Sequence, residues 1–196
     1  MATAMHIAEQ IKRLLQSLDE TAVGSYLSDW PHMYEPRPAM IADLPALRWL
    51  PQIASDRAAI AVELVAAVAR AAPALAWRQS YSALDAGAAF LDNYAWSEIL
   101  GANGAISCEC IACGFLLLGP STHYPCHRHE AEEMYLPLSG TAAWQQGDAI
   151  WREQSPGTLI HHASDEPHAM RTGSMPLLAL YLWRGAGLAQ KARLAW

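Results

Sequence analysis

The sequence predicts a mainly β fold, a small antiparallel barrel or jelly roll, carried behind an α-helical N-terminal extension. Three observations lead there. From about residue 105 onward, short apolar segments alternate with the turn residues Gly140, Gly147 and Pro156. Before that point apolar residues recur at helical spacing instead. With 196 residues, 53% of them hydrophobic and 16% charged, the chain has enough apolar side chains for one compact domain. The expected division is a helical region over 1–104 that packs on a barrel over 105–196.

Ile7, Ile11, Leu14, Leu15 and Leu18 mark one face of a first helix. Pro31, Pro36, Pro38, Pro45 and Pro51 exclude a continuous helix from the next stretch, which must wrap over a surface. Asp56 is the expected cap of a second helix carrying Ile60, Leu64, Val65 and Val68, and a third helix is expected over 82–100. Strands are expected over 106–118, 133–138, 141–145, 149–153, 157–161 and 176–183. Within the first of these, period-two alternation sets Cys108 and Cys110 on one face and Cys113 on the other. Such cysteines do not converge on one ion, and with Cys126 they read as small buried hydrophobes rather than a disulfide framework.

A net charge of −6 without a basic stripe argues against a nucleic-acid partner. Glu9, Lys12 and Arg13 break what a signal peptide would need as an apolar run, so cytoplasmic residence is expected. No apolar run is long enough to cross a bilayer; Glu63 and Arg70 interrupt the best one, so no membrane role is expected.

The chemistry concentrates between residues 123 and 183. His127 and His129 are two apart, so on an extended strand both point to one face, as chelation from a rigid element requires. Glu133 and Tyr135 repeat that spacing after a short turn, with Met134 and Leu136 packing behind the sheet. A second half of the site falls to His168, or to His161 or His162, which as neighbours point to opposite faces. Imidazole and carboxylate without thiolate suit a catalytic divalent transition metal, Zn, Fe, Mn, Co or Ni, with open positions. In 177–183, alternation puts Tyr181 and Trp183 on one face and Leu178, Leu180 and Leu182 on the other.

The pattern His127-x-His129-x-x-x-Glu133-x-x-x-x-x-x-Gly140 resembles the first cupin motif, and Gly157 followed by His168 is similar to the second. Ser121 stands where the first motif usually opens with glycine, and Ala163, Asp165 and Thr172 replace the proline, glycine and asparagine of the second. Asp tolerates left-handed backbone better than most residues. The run from His123 to Gly140, with the Tyr181-Leu182-Trp183 strand, looks like the Q-type cupin lyases of dimethylsulfoniopropionate (DMSP).

That resemblance implies a carbon–sulfur lyase that cleaves DMSP to dimethyl sulfide and acrylate by β-elimination. It implies His127, His129, Glu133 and His168 as metal ligands and Tyr135 as base. A metal on the substrate carboxylate acidifies the adjacent C–H, and the same charge favours the phenolate of Tyr135, whose ordinary pKa is roughly 10. His123 and Tyr124 lie close to the first ligand, where Tyr124 would hold the carboxylate or assist proton transfer. Tyr181 and Trp183 would hold the sulfonium by cation–π attraction. The partner is thus a small molecule, and the protein a monomer or homodimer. Other cupin chemistries remain open on the motif alone: an Fe(II) dioxygenase acting on a small thiol or dicarbonyl, or a non-catalytic binder of small carboxylates.

Overall fold

The computed structural model describes residues 2–38 and 40–195. Helices α1 (Ala2–Gln16) and α2 (Glu20–Ser28) come first, then α3 (Leu50–Ala54), α4 (Val62–Ala71), α5 (Ala83–Ala86) and α6 (Ala88–Leu91). The strands are β1 (Trp77–Arg78), β2 (Tyr94–Gly101), β3 (Ile106–Ser107), β4 (Ile111–Leu118), β5 (His123–Arg128) and β6 (Glu132–Ser139). They continue with β7 (Ala142–Gln146), β8 (Arg152–Gln154), β9 (Ile160–His162), β10 (His168–Thr172), β11 (Leu177–Arg184) and β12 (Arg193–Leu194).

The strands form two sheets. One runs β1-β2-β4-β11-β6-β9 with β3 alongside β2, and the other runs β12-β5-β10-β7-β8. Every pairing within them is antiparallel except β2 with β3. This is the jelly roll that the sequence predicts.

The larger sheet is buried on both faces, which explains its continuous apolar runs. Phe115, Leu117, Leu136, Leu138, Leu178, Leu180 and Leu182 face outward and pack with Ile7, Ile11 and Leu15 of α1 and Leu64, Val65 and Val68 of α4. The alternate residues Leu116, Leu118, Tyr135, Ala179 and Tyr181 face the barrel interior. Each fully buried Leu or Ile contributes about 1.5–3 kcal/mol, so the helices act as the second layer this sheet needs.

Several expectations are corrected. The third helix over 82–100 is instead two short helices followed by β2. Gly87, at φ +83°, ends α5, and Tyr94, Trp96 and Glu98 then alternate with Ala95 and Ser97 along β4. Residues before 105 therefore supply two strands of the barrel sheet. Asp56 caps no helix; α4 begins after Ala61. Its carboxylate accepts from Ser139 Oγ at 3.0 Å and Gly140 N at 2.8 Å, tying the helical layer to the end of β6.

The expected strand over 106–118 breaks between β3 and β4, so alternation does not carry across the break. Cys108 and Cys113 both join the outer core, while Cys110 is exposed. The proline-rich stretch, expected to wrap over a surface, runs beside β3, where Ser107 N donates to Glu35 O at 2.9 Å and Arg37 N to Ala105 O at 2.8 Å. Ser121 and Asp165, the two non-glycine residues in the motif turns, adopt φ of +51° and +58°. The left-handed turns persist without glycine. Among the described residues no helix is long and apolar enough to cross a membrane.

Candidate active site

The site lies inside the barrel, where the two sheets face each other. His127 on β5 pairs directly with His168 at the start of β10. Glu133 on β6 pairs with His162 on one side and Trp183 on the other. His129 follows β5 and returns its Nε2 to within 2.9 Å of Glu133 Oε2. His168 Nε2 lies 3.2 Å from that same oxygen, without hydrogen-bond alignment. His129, Glu133 and His168, all buried, thus bring one ligand atom each to within 4.8 Å of one another.

The fit to a metal is testable on the tautomers. His127, His129 and His168 each set Nδ1 against a backbone carbonyl, at 2.9 Å (Pro125), 2.8 Å (Ala131) and 2.9 Å (Glu166). An Nδ1–H donated to a carbonyl leaves the Nε2 lone pair free, which is how metal-ligating histidines are oriented. The donor set therefore fits a divalent ion. Burial opposes charge on Glu133, yet the adjacent His129 and His168 hold its carboxyl well below the usual range. Burial likewise opposes charge on His129, and Glu133 overrides it and lifts its pKa.

His127 shares the tautomer but lies outside that close cluster. Its ring stacks on Tyr124 at 3.9 Å and 10° and meets His168 at 4.2 Å. Burial first, then the neighbouring His168, push its pKa well below the ordinary imidazole value, so it is neutral. Between His161 and His162 the structure decides as alternation requires. His161 is exposed and bonded to Glu132 at 2.8 Å. His162 is buried, stacks on His168 at 4.0 Å and 14°, and is held down to about 3 by burial and then by His168.

Tyr124 and His123 part company for a local reason. Four residues of β5, from His127 to Tyr124, face only three of β10, from His168 to Met170, so β5 carries a bulge. The extra residue reverses the alternation upstream of it. Tyr124 consequently turns inward to bond Tyr81 at 3.1 Å, and His123 is turned out, exposed, against Trp151 at 5.9 Å. The expectation that His123 reaches the cavity is corrected by that bulge.

Tyr135 and Tyr181 face each other across β6 and β11 on the interior side. Burial first, then the charge of Glu133, raise the Tyr135 phenol well above its ordinary pKa. Trp183 does something the sequence reading missed: its Nε1 donates to Glu133 Oε1 at 2.6 Å, and its ring lies 4.1 Å from that of His129. A cavity of about 350 Å³ opens against Glu133, Tyr124, Tyr135, Tyr181 and Trp183. Tyr94, Trp96 and Glu98 of β2 complete its far wall, and 188–192 close one side. Sequence reasoning misses these β2 residues because the apolar content of 82–100 reads as helix; their alternation is the available signal.

A jelly roll that gathers histidines and a glutamate inside its barrel, at a site able to hold a metal ion, defines a cupin. Residues 26–179 match the family described as dimethylsulfoniopropionate lyase, and the chain belongs to that family. It is 36% identical over 109 residues to dimethylsulfoniopropionate lyase DddQ of Ruegeria pomeroyi, covering 56% of this chain and 54% of that protein. It is 38% identical over 122 residues to putative dimethylsulfoniopropionate lyase DddL of Cereibacter sphaeroides, covering 61% of this chain and 50% of that one. The matched stretch thus spans about half the length of these curated relatives.

Solved structures extend the likeness over the whole fold. A chain from the crystal structures of the DMSP lyases RdDddP and RnDddQII superposes with a TM-score of 0.88 at 31% identity, covering 100% of this chain and 98% of that one. DMSP lyase DddQ from Ruegeria pomeroyi DSS-3 superposes at 0.86 and 25% identity, covering 99% and 96%.

Proposed function

We propose that the protein is a metal-dependent carbon–sulfur lyase that cleaves DMSP to dimethyl sulfide and acrylate by β-elimination. The observation that carries this reading is that Glu133 of the His129–Glu133–His168 cluster lines the same cavity as Tyr135 and an aromatic wall. Membership of the family supports the substrate class. His129, Glu133 and His168 would hold the ion, with the His127 imidazole beside them. When bound, a divalent metal supplies Lewis-acid polarisation of the substrate carboxylate and a positive field at the site.

Tyr135 removes the proton next to the carboxylate. In the buried setting beside Glu133 its phenol is held protonated, so it can act as base only where positive charge offsets those two effects. Tyr124, fixed by Tyr81 and by its stack on His127, orients the carboxylate end. Tyr181 and Trp183 offer ring faces to the sulfonium, each contact worth about 0.5–2 kcal/mol. The C–H bond electrons form the acrylate double bond as the C–S bond breaks, and its electron pair leaves on neutral dimethyl sulfide.

The test is release of dimethyl sulfide from DMSP, measured by gas chromatography on metal-loaded protein. Release above a chelator-stripped control is the expected result; none under any divalent metal would overturn the reading.

A further inference from the structure

We propose that Glu98 is the group that makes this cavity select a cationic substrate, acting as an anionic wall behind Tyr181. The inference rests on the function proposed above, which it deepens by naming a specificity determinant outside the metal cluster.

Glu98 is a charged side chain only 6% exposed, yet it lines the cavity rather than the apolar core. Its strand explains why. Tyr94, Trp96 and Glu98 share one parity on β2 and face the interior, and the register of β2 shifts just after Glu98, between it and Leu100. Such a bulge ends the regular alternation and fixes where the last inward side chain points. Across the sheet Glu98 is opposite Gly114, Gly114 opposite Tyr181, and Tyr181 opposite Tyr135. Gly114 contributes no side chain to that row, and Tyr181 comes close enough to Glu98 for its hydroxyl to favour the charged carboxylate. A Cβ at Gly114 would collide with the backbone of Ser97 and Glu98.

The carboxylate is held by a backbone donor and the Tyr181 hydroxyl, with no direct ion pair. Asn103 N donates to Oε1 at 2.7 Å, and among the described residues no ion pair reaches it. The ionisable groups around it are Arg78 on β1, Arg37 in the proline-rich stretch, Cys113 on β4 and Tyr181 on β11. Burial raises its pKa to about 7 against the opposing pull of the Asn103 N–H and of Arg78. With a pKa of about 7 the group is only partly ionised at neutral pH, and a cation brought into the cavity favours its charged form. A small organic cation among Trp96, Tyr181 and Trp183 supplies that charge, meeting ring faces and the field of a carboxylate together. Glu98 thereby acts on the end of the substrate remote from the metal cluster.

The experiment compares two ligands of equal shape, 3-(trimethylammonio)propanoate and the uncharged-tail 4,4-dimethylpentanoate, titrated calorimetrically into metal-loaded wild type and Glu98→Gln. Gln keeps the acceptor for Asn103 N–H, and a thermal melt verifies that the variant is folded. The expected result is that Glu98→Gln weakens the cationic ligand about tenfold, the scale of one partly screened charge interaction, and leaves the neutral ligand within about twofold. A structural defect would weaken both. Equal weakening of the two, or no change in either, would overturn the proposal. Dimethyl sulfide release is followed in parallel: wild type that prefers the cation but releases none refutes the lyase reading alone, and release with an unchanged preference in Glu98→Gln refutes the role of Glu98 alone.

Discussion

Trp183 donates its indole N–H to Glu133 at 2.6 Å, holding Oε1 while Oε2 turns toward His129 and His168. The bond spans β11 and β6, where the two residues are direct partners in register. A single tryptophan thus fixes the rotation of the one carboxylate in the cluster. Trp183→Phe keeps an aromatic face but removes this donor, and outer-shell bonds of this kind are worth about 10–100-fold in metal affinity. A loss on that scale is expected in a competition titration against a chromophoric chelator. Unchanged affinity would reduce Trp183 to a cavity wall.

Replacing His129, Glu133 or His168 by Ala should leave protein that retains little metal after dialysis, measured by elemental analysis. His127→Ala should retain most of it, because that ring stacks on Tyr124 outside the close cluster. Equal loss in all of them would make His127 a ligand on the same footing.

Tyr135→Phe should bind metal as wild type does and lose about 10²–10⁴-fold in turnover, the usual contribution of a general base. The substitution removes only a hydroxyl from a residue packed against Trp144 at 6.1 Å, so the fold should persist. Near-normal dimethyl sulfide release from the variant would assign the proton transfer elsewhere.

Asp56 accepts from Ala58 N, Ser139 Oγ and Gly140 N, and Gly140 is buried. Asp56→Ala should cost about 1–3 kcal/mol, the usual range for a stranded buried donor, read as a lowered urea midpoint at pH 7. Burial raises the Asp56 pKa, but the bonds from Ala58, Gly140 and Ser139 outweigh it and leave the net shift downward. A depressed folded-state pKa stabilises above the unfolded value of about 3.9 and ceases to do so as pH falls through the folded one. The difference between wild type and variant should therefore shrink below about pH 4; a gap that widened in acid would contradict the sign.

The alternation of side chains along a strand is a local property, and it was readable wherever the strand was regular. Glu133 and Tyr135 face the interior with Tyr181 and Trp183, while Met134, Leu136, Leu178, Leu180 and Leu182 pack behind, as spacing alone requires. Where a strand carries a bulge the reading fails for His123, which β5 turns outward, while Tyr124 faces the cavity as expected. It fails also where apolar content suggests helix, which hides Tyr94, Trp96 and Glu98 on β2.

The sequence by itself determined the fold class, the family resemblance and the residues that supply imidazole and carboxylate. Only the tertiary structure decided that His168 and His129 converge on Glu133, that His162 stacks behind His168, and that Trp183 bonds the carboxylate. Those relations depend on register between strands far apart in the chain. Register is set by the burial of both faces of a sheet and by its bulges, neither of which a single strand's spacing encodes.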